Sequence, residues 1–257
     1  MTNGQLNSKI KIILITSAIL LISGCAKQPE LVILNLNVEP PAKSATATAV
    51  QSTTTKQQVR VPNTFELPVA FASQAPLSNW DALHEEACEE ASMIMADKYF
   101  TKQPLSVQIM EAGLQKLVKW ETDQGYKVDV TATETAKILN DYFNLTARVT
   151  ADVSVDRIKY EISQGNLIII PAAGRLLGNP NFTGQGPIYH MLVVKGYNDR
   201  EFITNDPGTR KGNGYKYDYQ TLLNAIHDWN PALVTGDTMT DANMAKGAKV
   251  MVVVDKS

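Results

Sequence analysis

The chain has 257 residues, a formal net charge of −2, 44% hydrophobic residues and two cysteines. That length admits one large domain or two small ones, with apolar content ample for a packed core. Two thiols exclude a multi-bridge disulfide framework, and the lack of any basic run or stripe argues against nucleic acid as a partner.

In chain order, Lys9 and Lys11 precede an uncharged stretch, residues 12–23, too short to span a bilayer comfortably and fitting the apolar core of a secretion signal. Ser23 and Gly24 ahead of Cys25 resemble the lipobox of bacterial lipoproteins, in which the cysteine is acylated and becomes the first residue. The expectation is a signal peptide at 1–24, lipidation at Cys25, and a membrane-anchored protein outside the cytoplasm, at the cell surface or in the periplasm. An ordinary signal peptide or a short anchor helix is the plainer alternative. Losing residues 1–24 removes two lysines and no acid, leaving 22 basic against 26 acidic side chains and a formal charge of −4. Residues 25–60, with Pro40, Pro41 and small polar residues around Thr53, read as a flexible tether. Residues 61–257 read as one domain.

Within that domain the first half reads as helical and the second as strand-rich. Cys88, Ala91, Ser92, Met95, Ala96 and Tyr99 recur at helical spacing and predict a helix with a continuous small-to-apolar face. Ser106 caps a second predicted helix through Ile109, Leu114, Leu117 and Val118, stopped by Gly125. Thr131 and Glu134 form a capping-box pattern ahead of Ile138, Leu139 and Tyr142. Residues 155–163 predict a short helix ended by Gly165. Apolar runs at 167–170, 191–194, 202–204 and 250–254 predict strands, with a turn at Asn198 and Asp199 and a helix over 219–229. Helices followed by an antiparallel sheet make an α+β fold.

Cys88 stands at the predicted start of the first of these helices. A thiol attacks carbonyls as the thiolate, so a nucleophilic site must lower its pKa. The positive end of a helix dipole contributes to that, and a neighbouring imidazolium contributes more. His190, at the head of an apolar strand and behind a Gly-, Asn- and Pro-rich loop at 174–187, is the candidate base. A base needs an orienting group, and Asp206 follows sixteen residues later. Strands paired as a hairpin through the 198–199 turn bring His190 and Asp206 to the same end. Four glutamates flank the thiol; Glu89 and Glu90 are expected to point away, because Cys88 shares its face with Ala91 and Ser92.

The run from His190 to Asn198, followed by Ile203 to Gly208, resembles the His and Asp motifs of the bacteriocin-processing (double-glycine leader) cysteine peptidases, family thirty-nine of the papain-like clan, and their stand-alone relatives. The resemblance covers nearly the whole domain. It implies a papain-like fold, a nucleophile helix packed on an antiparallel sheet that carries His and Asp. It also implies hydrolysis of peptide bonds in a peptide or protein substrate by Cys88, His190 and Asp206, without metal or cofactor. In that family a glutamine upstream of the cysteine helps form the oxyanion hole, and Gln74, fourteen positions before Cys88, matches it. The chain departs from the family pattern at Glu89, where glycine is usual.

Each of these residues has a plainer reading: Cys88 as a small buried hydrophobe, His190 as a satisfied strand histidine, Asp206 as a turn residue. A metal site built from His84, Cys88 and His190 lacks an evident fourth ligand. Trp80 is expected in the core, Tyr189 at the cleft, and His227 at the surface or in packing. Two functional alternatives stand beside the peptidase: a catalytically inactive protein that keeps the cleft to bind peptide, and an amidase acting on cell-wall peptides.

Overall fold

The structure, a computed structural model, describes residues 61–236 and 238–255. The expected signal peptide at 1–24, the expected lipidation at Cys25 and the expected tether at 25–60 lie outside the described residues. No described helix is long and apolar enough to cross a membrane.

A short strand β1 (Phe65–Glu66) leads to helices α1 (Cys88–Thr101), α2 (Val107–Gln124) and α3 (Ala132–Asp141). Strand β2 (Thr146–Thr150), helix α4 (Val155–Ser163) and strands β3 (Leu167–Ala173), β4 (Tyr189–Tyr197), β5 (Glu201–Asn205) and β6 (Asn213–Asp218) follow. Helices α5 (Tyr219–Ala225) and α6 (Asp241–Met244) and strand β7 (Met251–Asp255) complete the chain. The strands form one antiparallel sheet in the order β2-β7-β3-β4-β5-β6, with β1 pairing β4 beyond the end of β3. The fold is α+β, as the sequence predicts.

The helix boundaries follow from local chemistry. Ser106 Oγ accepts the N–H of Ile109, and Gly125 ends α2 with φ +84°, a conformation that costs a residue without Cβ little. The capping box at Thr131 is complete: its Oγ accepts the Glu134 N–H, and the Glu134 carboxylate accepts the Thr131 N–H. The buried face of α2 is Met110, Leu114, Leu117 and Glu121. Ile109, expected on that face, is exposed, and Val118 is only partly buried.

Helix α1 has no side-chain cap, and residues 88–97 are buried all round. It packs against β4 on one side and α2 on the other, so its start is held by tertiary packing more than by local signals. The predicted helix over 219–229 ends early, at Ala225. There Ile226 turns to extended backbone, bridges Ala172 of β3, and the next N–H, of His227, donates to Pro171. The end of β3 beyond its pairing with β7 has captured the chain that helical pattern would have continued.

Candidate active site

The β4–β5 hairpin turns where the sequence predicts, with the Asn198 N–H donating to Glu201. Its register shifts at Lys195: Tyr197 faces Phe202 and Gly196 faces Ile203, but Val194 faces Thr204 and Val193 faces Asn205. Continued by one residue, this places Asp206 across from Leu192, on the face that His190 shares two positions along. Without the bulge Asp206 would oppose Val193 and point to the other side of the sheet. The residue after β1 holds the bulge, since Leu67 N–H donates to the Lys195 carbonyl. Gly196 lets that segment approach, because a Cβ there would lie 2.7 Å from the Phe65 oxygen.

His190 Nε2 lies 2.8 Å from Asp206 Oδ1, both side chains essentially buried. Asp206 Oδ1 also accepts the Gly208 N–H at 3.1 Å, and Oδ2 accepts from Tyr217 Oη at 2.5 Å and Asn179 Nδ2 at 3.1 Å. Burial alone would raise the Asp206 carboxyl; the charge and hydrogen bond of His190, with Tyr217 and Gly208, outweigh it and hold the group below the usual carboxylate range. A carboxylate at Nε2 fixes the proton there and leaves Nδ1 as the imidazole's accepting nitrogen. Phe182 meets the His190 ring edge-to-face, with centroids 5.3 Å apart, and so braces its plane.

Cys88, the first residue of α1, is 5% exposed. The N–H of Met191, next to His190, donates to its Sγ at 3.3 Å, tying nucleophile helix to histidine strand. The expected orientation of Glu89 is wrong. Its side chain turns back toward the sulfur, and Cys88 Sγ stands 2.9 Å from Glu89 Oε2 with Glu89 1% exposed. Glu90 is buried as well, beside Glu121 of α2. The reason is that α1 is enclosed all round, so no face of its first turn reaches solvent. Burial raises the Cys88 thiol well above its ordinary value, Glu89 adds to the rise, and the Met191 N–H opposes it. The surroundings therefore disfavour the thiolate, contrary to the expectation of a thiol lowered by its helix position.

Gln74 lies beside these groups, its backbone N–H donating to the Pro207 carbonyl. Its Nε2 donates to the carbonyls of His84 (2.9 Å) and Glu85 (3.0 Å), and its buried Oε1 has no partner. Both amide hydrogens are engaged, so donation to a substrate oxygen requires one of these bonds to be exchanged. The Cys88 N–H heads α1, where intrahelical carbonyls are lacking.

Gln74, Cys88, His190 and Gly208 line one cleft of about 650 Å³, with Trp80, Phe182, Tyr189 and Trp229 among its walls. Trp80 is 42% exposed at this cleft, not in the core. Tyr189 lines it as expected, its hydroxyl bonding the Val130 carbonyl and Asp228. His84 is taken up elsewhere: Nδ1 meets Asp81 at 2.7 Å and Nε2 meets Glu111 at 3.0 Å. His227 is packed, with Nδ1 against the Gly247 carbonyl. Asn179 and Tyr217, which hold Asp206, escape sequence reasoning, because their role depends on the loop fold and on the β5–β6 pairing.

Residues 66–232, well over half of the chain, match the model of a family described as Peptidase_C39 like. A crystal structure from Bacillus anthracis, whose name assigns it provisionally to the C39-like peptidases, is similar at 13% identity and a TM-score of 0.49, covering 76% of this chain and 99% of that one. A search of curated proteins finds no match. With a papain-like α+β fold and a family model spanning the cleft, the chain belongs to the Peptidase_C39-like family.

Proposed function

We propose that the protein is a cysteine peptidase that hydrolyses peptide bonds of peptide or protein substrates through Cys88, His190 and Asp206. The observation that carries this reading is the buried pair of His190 on β4 and Asp206 just after β5, with His190 in one cleft with Cys88, whose sulfur accepts a hydrogen bond from the residue following the histidine. His190 Nδ1 takes the thiol proton as sulfur attacks the carbonyl carbon, and the electron pair of the C=O moves to oxygen. The Cys88 N–H and Gln74 Nε2, once it releases the Glu85 or His84 carbonyl, receive that oxyanion, each donor being worth about 3 kcal/mol. Collapse expels the amine, which takes its proton from His190. Water then attacks the thioester with His190 as base, and the acid leaves. No step calls on a metal or cofactor. The lipobox-like sequence supports a location outside the cytoplasm, the chain held at a membrane through Cys25.

The rival with a specific observation in its favour is a catalytically silent peptide binder, since the resting thiol faces Glu89. Alkylation of Cys88 by iodoacetamide near neutral pH separates the two. A peptidase labels faster than free cysteine and slows when His190→Ala removes the base. Labelling of both proteins at the slow rate of an unactivated thiol sinks the peptidase reading.

A further inference from the structure

Glu89 occupies the position next to the nucleophile, and nothing in the hydrolytic scheme above uses it. Its Oε2 is in hydrogen-bond contact with Cys88 Sγ, and its Oε1 has no partner. The titratable groups around it are Cys88 and Glu90 on its own helix, Glu121 of α2, Asp129 ahead of α3, and Tyr189 and His190 at the start of β4. Among the described residues, no lysine or arginine lines the adjoining cleft. A carboxylate buried there has no fixed cation to compensate it, whereas a neutral carboxylic acid has a proton to give.

We propose that Glu89 is a positioning residue that works as a neutral acid, its Oε2–H donating to the Cys88 sulfur. When His190 removes the thiol proton, the sulfur then accepts two hydrogen bonds, from Glu89 Oε2–H and from Met191 N–H. The Glu89 proton is shared but not transferred, so charge balances as thiolate and imidazolium alone. Desolvation, followed by the charge of Glu90, pushes the Glu89 carboxyl well above its ordinary value, in keeping with the neutral form. The residue that replaces the usual glycine thereby assists the thiolate instead of repelling it. Ionised, the same group would oppose the thiolate, so alkaline pH switches its effect.

This rests on the peptidase reading of Cys88 and His190, and the test separates the two. Iodoacetamide alkylation of Cys88 is measured by intact mass on the full chain from pH 6 to 10, in wild type, Glu89→Ala, Glu89→Gln and His190→Ala. Glu89→Ala is expected to react about tenfold or more slowly at pH 7, the scale of one hydrogen bond to a charged atom. Glu89→Gln, whose amide can still donate, recovers most of that loss and lacks the alkaline step that ionisation of Glu89 gives the wild type. A Glu89→Ala rate equal to or above wild type overturns the role of Glu89; if His190→Ala is nevertheless slowed, the triad stands without it. Should Glu89→Ala misfold, the infrared difference between wild type and Glu89→Gln at pH 7 decides. A protonated-carboxyl band lost in the variant supports the neutral acid, and a carboxylate band in its place overturns it.

Discussion

His190 and Asp206 meet at 2.8 Å because the hairpin joining them carries one extra residue, Lys195. Alternation along a strand is strict, so a single bulge decides which face of the sheet receives the carboxylate. Deleting Lys195 is therefore expected to turn Asp206 away from His190 and abolish peptide cleavage while the protein still folds. Circular dichroism and a peptide-cleavage assay on the same preparation check it.

The orienting role of Asp206 is separable from the chemistry of His190. His190→Ala removes the proposed general base and is expected to lower kcat by about 10²- to 10⁴-fold. Asp206→Ala leaves the Tyr217 hydroxyl and the Asn179 amide without their buried acceptor, and costs about 1–3 kcal/mol of stability besides activity. Urea unfolding of both variants should show the stability loss for Asp206→Ala.

Gly208 packs against the His190 imidazole. A Cβ there would lie 2.8 Å from His190 Cε1 and 3.0 Å from Phe182 Cε1. The ring cannot yield without breaking its bond to Asp206, so Gly208→Ala is expected to lower kcat at least tenfold, roughly the cost of a misplaced catalytic group. A kcat within twofold of wild type would show that the ring has room to move.

Two sets of buried carboxyls pull stability in opposite directions with pH. Asp206 and Glu161 are held below their ordinary values; burial would raise Glu161, but Arg148 at 2.7 Å, Asn166 and Arg157 outweigh it. Their stabilising contribution is present above about pH 4.5 and is lost as pH falls through their lowered folded values. Glu90 and Glu121 are raised chiefly by burial, to about 7 and about 10. Theirs is full below about pH 4.5 and is lost as pH rises through those values. Thermal unfolding should show Tm falling from pH 6 to pH 9, and Glu121→Gln should flatten that fall.

The parts of the fold that announce themselves in the sequence do so by local chemistry. Ser106, the Thr131–Glu134 box and Gly125 mark helix ends because caps act on backbone groups within a few residues. Strands β3, β4 and β7 lie inside the sheet and read as apolar runs. Of the unpredicted strands, β1 is only two residues long, and β2 and β6 are the two edges of the sheet, half exposed and mixing polar and charged residues with apolar ones, and so carry little pattern. The site divides the same way. Spacing around one turn brings His190 and Asp206 to the same end of the hairpin, but the bulge at Lys195 that puts them on one face, and the inward turn of Glu89 that follows from the enclosure of α1, are stated by no local pattern.

Cleavage itself is the most direct measure of whether Cys88, His190 and Asp206 act as one site. The full chain is incubated with a peptide library, and new termini are mapped by mass spectrometry for wild type and Cys88→Ala. Wild type is expected to release new termini from the library, and Cys88→Ala none. Cleavage by both alike, or by neither across the library, contradicts a peptidase built on this thiol.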